Sequence, residues 1–333
     1  MAVGIGLIGA GTMGALHGRL VMSRVPEAEL IAVADPDETV RRAVAGELGA
    51  KDYSQASELL VDPSIGAVIV ATPPDTHCGL IKETIAARKH VFCEKPLGFD
   101  LAEIDETLAE MEGSSVKLQI GFNRRFDATF VRARSIVASG EIGTPLSAHV
   151  VAWDPIGQRP RGRSDGDIFF DTTIHDLDMV RFVLGSEPVS VYTQGGVMAA
   201  EQLDDPDTVV TMMRFENGAT AVIDNSRISA HGYDQCLEVF GSGGLVTVAN
   251  EQPHRATVRR ASGVMSAGPQ PFFKERYTES YVEELRSFVD CVQGDRDPAV
   301  TGWDGRQAVA MALACVRSYQ ESRPVAMSEI GGG

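Results

Sequence analysis

The sequence predicts an α/β amino-terminal domain on a doubly wound parallel sheet, followed by an α+β domain, and three observations carry that reading. Up to about Gly121 short apolar runs alternate with helical segments, the pattern of strands joined by crossover helices. The first run passes straight into a glycine turn and then an amphipathic segment. After one more helix the texture changes to longer alternating strands, which places residues 1–122 in one domain and 123–333 in the other.

Taken in order, Val3-Gly4-Ile5-Gly6-Leu7-Ile8 is the first strand, Gly9-Ala10-Gly11-Thr12-Met13-Gly14 the turn, and the helix runs to Arg24. Leu30 to Ala34, Ala67 to Val70, His90 to Cys93 and Val116 to Ile120 are further short strands. Ala128 to Ser139 and Ile168 to Leu184 read as helices. Asp207 to Phe215 and Thr220 to Asp224 alternate as strands, and Glu216-Asn217-Gly218 between them is a hairpin turn. Glu275 to Gln293 and Asp304 to Glu321 close the chain as two helices.

The glycine turn has the chemistry of a dinucleotide site, so the first domain is read as a Rossmann domain. Gly9 permits the tight turn, Gly11 leaves no Cβ between backbone and pyrophosphate, and Gly14 lets the helix approach the strand. The helix N-terminus around Thr12 and Met13 can then meet the phosphates. Asp35 ends the second strand about 20 residues beyond the third glycine, where an acid binds the adenosine ribose. A carboxylate there repels a 2′-phosphate, so NAD is favoured over NADP, with Arg41 and Arg42 keeping NADP open.

A length of 333 residues at 44% hydrophobic composition can bury a core in each of two domains. The formal charge of −16 argues against a general hold on nucleic acid or an anionic membrane. Five scattered cysteines without a CxxC pair suggest neither a disulfide framework nor a zinc knuckle, and fit a cytoplasmic protein. The first residues lack the basic start of a signal peptide, and no apolar run reaches the roughly 18 residues that span a bilayer. Asp154 to Gly166, with Arg159, Arg161 and Arg163, reads as a mobile loop and either a lid or an ordinary surface loop.

Ligands of open α/β sheets bind beyond the carboxyl ends of the strands, so those ends are where chemistry is expected. After Val70 comes Ala71-Thr72-Pro73-Pro74-Asp75-Thr76-His77, a proline-stiffened loop facing the cofactor. After Cys93 comes Glu94-Lys95-Pro96, where the proline fixes the backbone and the lysine can aim its ammonium at a substrate hydroxyl. In Asp171-Thr172-Thr173-Ile174-His175, helical spacing i and i+4 puts a carboxylate and an imidazole on one face. That pair suits alcohol oxidation, with histidine taking the hydroxyl proton as hydride leaves the carbon. Further ligands at metal spacing are missing, so no metal is expected.

Together these motifs resemble the glucose-fructose oxidoreductase and inositol dehydrogenase family, Gfo/Idh/MocA, over nearly the whole chain. Gly121-Phe122-Asn123-Arg124-Arg125-Phe126-Asp127, Gly232-Tyr233-Asp234-Gln235 and Phe272-Phe273-Lys274-Glu275-Arg276-Tyr277 are most similar to its inositol 2-dehydrogenase branch. The resemblance implies a catalytic trio of Lys95, Asp171 and His175, with His175 as general acid/base, Asp171 its partner and Lys95 orienting the hydroxyl. It implies polyol contacts from Arg124, Tyr233 and Tyr277, and further ones from Asn123, Asp154 and Thr172. Thr72, Pro73, His77, Glu94 and Lys95 fall on the cofactor side. It also implies a large, mostly antiparallel, open-faced sheet used for oligomerisation, commonly as a tetramer.

One departure bears on the substrate. Trp153 and Ile156 put apolar surface where hydroxyl contacts are expected, so a pyranose, anhydrosugar or glycoside stands beside myo-inositol. Glycoside chemistry with retained NAD, and an NAD(H)-sensing protein without chemistry, are the other readings.

Overall fold

The computed structural model describes residues 2–155, 168–198 and 205–331. Two compact units result, Met1–Phe126 with Glu279–Val309, and Asp127–Thr278 with Ala310–Gly333.

The first unit is built on six parallel strands in the order β3-β2-β1-β4-β5-β6, the dinucleotide-binding arrangement. They are β1 (Val3–Ile8), β2 (Ala28–Ala34), β3 (Lys51–Tyr53), β4 (Ala67–Val70), β5 (His90–Glu94) and β6 (Leu118–Gly121). All four residues of β4 are buried, as expected of a parallel strand covered on both faces. The crossover helices are α1 (Thr12–Arg24), α2 (Glu38–Leu48), α3 (Ala56–Leu60), α4 (His77–Ala86) and α5 (Leu101–Glu112). Aspartates start two of them: Asp37 accepts the Thr39 and Val40 N–H groups, and Asp100 that of Ala102. Each satisfies donors that a helix start leaves open.

The two units are not the linear segments 1–122 and 123–333, because Glu279–Val309 returns to the first one. The Ile120 N–H donates to the Val300 carbonyl at 3.1 Å, and Gln119 Nε2 to the Glu284 carbonyl at 2.8 Å. Phe288 meets Phe92 edge-on at 5.9 Å between centroids. A helical pattern in the sequence records that a segment has an apolar face, not which sheet that face covers.

The second unit holds α6 (Ala128–Ala138), β7 (Pro145–Pro155), α7 (Ile174–Leu184), β8 (Pro188–Gly196), β9 (Thr208–Phe215), β10 (Thr220–Ser229), β11 (Asp234–Gly241) and β12 (Gly244–Val248). A small hairpin, β13 (Thr257–Arg260) with β14 (Gly263–Ser266), follows. Helix α8 (Phe273–Gly294) breaks its helical geometry at Tyr277, and α9 (Gly302–Glu321) leads to β15 (Val325–Ala326). The large sheet runs β12-β11-β7-β10-β9-β8-β15, with β7 and β10 parallel and every other pair antiparallel.

Its two faces differ as strand alternation demands. Ala148, Val150, Ala152, Ala221, Ile223, Leu237 and Val239 are buried, and α7 packs on β7 and β10. Cross-strand register puts Tyr192, Met212, Val222 and His149 in one row of the opposite face, and Phe240 with Leu245 in the next. Met212 is 53% and Phe240 52% exposed, so this face is both apolar and open. Among the described residues no helix is long and apolar enough to cross a membrane.

Candidate active site

In the first unit β1 delivers the glycine turn. Gly9 takes φ +94°, a left-handed value, and its N–H donates to the Ala34 carbonyl at 2.8 Å. Helix α1 starts after Gly11 with no side-chain cap, so the N–H groups of its first turn keep their capacity for an anion. A Cβ built on Gly11 would meet nothing within 4 Å, whereas one on Gly14 would lie 1.9 Å from the Gly9 carbonyl oxygen. The turn is thus closed on its protein side and open where a pyrophosphate would lie. Asp35 stands at the end of β2 with Oδ2 accepting the Ala10 N–H at 2.8 Å and Oδ1 that of Asp37 at 2.9 Å. These residues fit NAD. Arg41 donates to the Asp35 carbonyl and to Asp52, and Arg42 pairs with Glu38.

The loop after β4 is tied internally. Thr72 Oγ1 and Thr76 Oγ1 lie 2.6 Å apart, with Thr76 also on the Pro73 carbonyl. His77 and Glu94, assigned to the cofactor side from sequence, both turn inward. The His77 ring has Nδ1 2.8 Å from the Pro96 carbonyl and Nε2 2.9 Å from that of Thr72, tying the two strand-end loops together. Burial lowers the His77 pKa, against the two carbonyls, which raise it. Glu94 Oε1 meets His17 Nε2 at 2.6 Å. Lys95 is half-buried at the strand end, and its backbone N–H donates to Glu94 Oε2 at 3.2 Å. After β6, Asn123 and Arg124 are buried, with Asn123 Nδ2 donating to Ser280 Oγ at 3.2 Å.

In the second unit the acid/base segment is not a regular α-helix. Phe169–Thr173 winds as a π-helical turn and α7 begins at Ile174, so Asp171 and His175 belong to different windings. A π turn spreads successive residues differently from the 3.6-residue spacing assumed from sequence. Asp171 is exposed and accepts from Arg227 Nη2 at 3.2 Å, while Arg227 Nε donates to Thr172 Oγ1 at 2.9 Å. Thr172 Oγ1 also donates to Asp154 Oδ2 at 3.4 Å. His175 is half-buried one residue into α7. Strand alternation sets Asp154 and Arg227 on the same face, and their bonds to Thr172 and Asp171 bring the four together. Tyr233 and Tyr277 meet separately, buried and perpendicular, with centroids 6.1 Å apart.

Trp153 lies on the opposite face of β7 from Asp154, and its Nε1 donates to Asp224 Oδ1 at 3.1 Å. The ring expected to stack on a sugar is therefore turned away from the α7 side of the sheet. Ile156 and the loop arginines Arg159, Arg161 and Arg163 lie outside the described residues.

Comparison with known proteins agrees with this architecture. Residues 3–122 match the oxidoreductase family with an NAD-binding Rossmann fold, and residues 130–247 match the GFO/IDH/MocA C-terminal domain. The chain belongs to the Gfo/Idh/MocA oxidoreductase family. An uncharacterized oxidoreductase of Bacillus subtilis (strain 168) is 40% identical, over 97% of this chain and 96% of its own. A myo-inositol 2-dehydrogenase of Thermotoga maritima is 39% identical, over 98% of this chain and 99% of its own. The crystal structure of a Lactobacillus casei myo-inositol dehydrogenase in complex with NAD(H) and myo-inositol has a TM-score of 0.91 at 26% identity, covering 98% of this chain and 97% of that one.

Three buried residues of this Gfo/Idh/MocA chain escaped the sequence reading. Arg227 could have been found as a charge on the core-facing phase of β10, in phase with Ile223 and Asn225. His17 and Glu284 carry no such signal, since each sits in an ordinary helical pattern. Burial, and then the charge of Glu94, hold the Glu284 carboxyl well above its usual pKa. The unfolded chain releases this proton near pH 4.5 and the folded one retains it, so stability is full below that pH and falls as pH rises, by at most about 1.4 kcal/mol per pH unit. Glu284→Gln removes that dependence. Its Tm is expected to match the parent's at pH 4 and to exceed it increasingly at pH 6 and 8; a constant offset across the three would refute the assignment.

Proposed function

We propose that this protein is an NAD-dependent dehydrogenase that oxidises a secondary hydroxyl of a cyclic polyol, an inositol, to the ketone. The observation that carries the reading is the near-full-length likeness to a myo-inositol 2-dehydrogenase. In support, the Trp153 ring, which argued for a pyranose, points away from the α7 side of the sheet.

Gly9, Gly11, Thr12, Met13, Gly14, Asp35, Thr72 and Pro73 would hold NAD, which when bound supplies the hydride acceptor. His175 takes the hydroxyl proton as the C–H bond breaks and the C–O bond becomes a carbonyl. Lys95 orients that hydroxyl. Asp171 partners His175, and Arg227 holds Asp171 and Thr172 in place. Asn123, Arg124, Asp154, Thr172, Tyr233 and Tyr277 are the assigned polyol contacts. His77 and Glu94 act one step back, by fixing the loops that carry Thr72 and Lys95.

The apolar open face of the large sheet supports a homo-oligomer, assigned here as a tetramer. Five free cysteines, four of them buried, suit a cytoplasmic enzyme.

NADH absorbance, with NAD or NADP and a panel of myo-inositol, other inositols, glucose, galactose, xylose and levoglucosan, tests the reading. An inositol with NAD is expected to give kcat/KM at least about 10⁴ M⁻¹s⁻¹ and well above every sugar, the low end of ordinary enzymes. A sugar preferred over all inositols would overturn the substrate assignment.

A further inference from the structure

Behind Lys95 three side chains of the first unit converge in the core: His17 on α1, Glu94 at the end of β5 and Glu284 on α8. One ligand atom from each lies within 4.8 Å of the others. Their exposures are 0%, 6% and 0%, so the cluster is shut off from bulk solvent. Glu94 is occupied at both oxygens, by His17 Nε2 and by the Lys95 backbone N–H. Glu284 has neither oxygen hydrogen-bonded, although it is fully buried and faces the other two.

Two carboxylates packed together and shut off from bulk solvent do not both stay charged. A proton on Glu284 makes it a neutral neighbour, and one on His17 Nε2 makes the imidazole a donor to Glu94. Glu94 is then a rigid acceptor, locked from the core side and facing the strand end. Phe92 and Tyr281 pack edge-on against the His17 ring and fix its plane.

We infer that His17, Glu94 and Glu284 act as one positioning device for Lys95, with Glu94 clamping the backbone N–H of the residue that orients the substrate hydroxyl. The inference rests on the role proposed for Lys95. Its physical force is that a displacement of about 1 Å in a reacting group can cost about 100-fold in rate. The His17 to Glu94 contact is a hydrogen bond, too close for a metal ion to lie between the two atoms, which favours a proton-sharing cluster over a cation site.

A double-mutant cycle on kcat/KM for the preferred inositol tests it, with NADH fluorescence titration and Tm measured on every variant. Glu94→Ala is expected to lower kcat about 30-fold, with NADH affinity changed less than about 3-fold, and Glu94→Gln to recover most of the loss through its amide oxygen. In a Lys95→Ala background, Glu94→Ala is expected to add less than about 3-fold, because the group it positions is gone. Glu94→Asp, which keeps the charge but shortens the reach, serves the same cycle if the alanine variant does not fold. Full additivity, a matching loss of NADH affinity, or stoichiometric zinc in the purified protein would each overturn the inference. Normal turnover in Lys95→Ala alone would instead overturn the proposed role of the lysine.

Discussion

Replacing His175 with alanine is expected to lower turnover of the preferred polyol by about 10² to 10⁴-fold, the usual worth of a positioned general base. NADH binding should stay within a few-fold of the parent, because the nucleotide turn is formed by β1, α1 and the end of β2. The residue is half-buried at the start of α7, just after a π-helical turn that Arg227 secures through Asp171 and Thr172. The segment thus has anchors besides the imidazole, so the loss should appear in chemistry more than in folding. The decisive measurements are steady-state kinetics, NADH titration and Tm on one preparation, with added imidazole as a rescue. Turnover within about 3-fold of the parent would remove His175 as the base.

The parts of the protein legible in the sequence are those set by short-range physics. The Gly9 to Gly14 turn, the strand ending in Asp35 and the alternating strands β9 and β10 follow from φ requirements and side-chain periodicity over a few residues. The NAD assignment came with them. What stayed hidden depends on the direction of a side chain relative to distant elements. His77 and Glu94 stand where a cofactor contact is reasonable, yet the carbonyls of Thr72 and Pro96 and the ring of His17 draw them inward. Trp153 and Asp154 are neighbours in sequence on opposite faces of β7, and only the position of α7 decides which face the site uses. Glu284 lies in the stretch Glu279–Val309 that returns to the first unit, a packing choice no local pattern encodes.

The two glycines of the nucleotide turn should separate binding from folding. A methyl on Gly11 enters open space, with no protein atom within 4 Å of it, so Gly11→Ala is expected to leave Tm within about 2 °C, a shift worth under about 1.5 kcal/mol. The same methyl would occupy the approach of the pyrophosphate and weaken NAD at least about 30-fold, close to 2 kcal/mol. At Gly14 the geometry reverses. There the Cβ would stand 1.9 Å from the Gly9 carbonyl oxygen, and both partners are backbone, so neither can swing aside. Relief requires α1 to move off β1, exposing the packed face that includes Ala15, Leu20 and Val21. Gly14→Ala should therefore lose several kcal/mol of stability, in the range of severe core changes, and NAD binding with it. Thermal unfolding of the apo proteins, followed by NADH fluorescence titration, reads both quantities. Equal Tm losses in the two variants would mean that the turn is not shaped as described, whereas unimpaired NAD binding by Gly11→Ala would move the pyrophosphate away from this helix start.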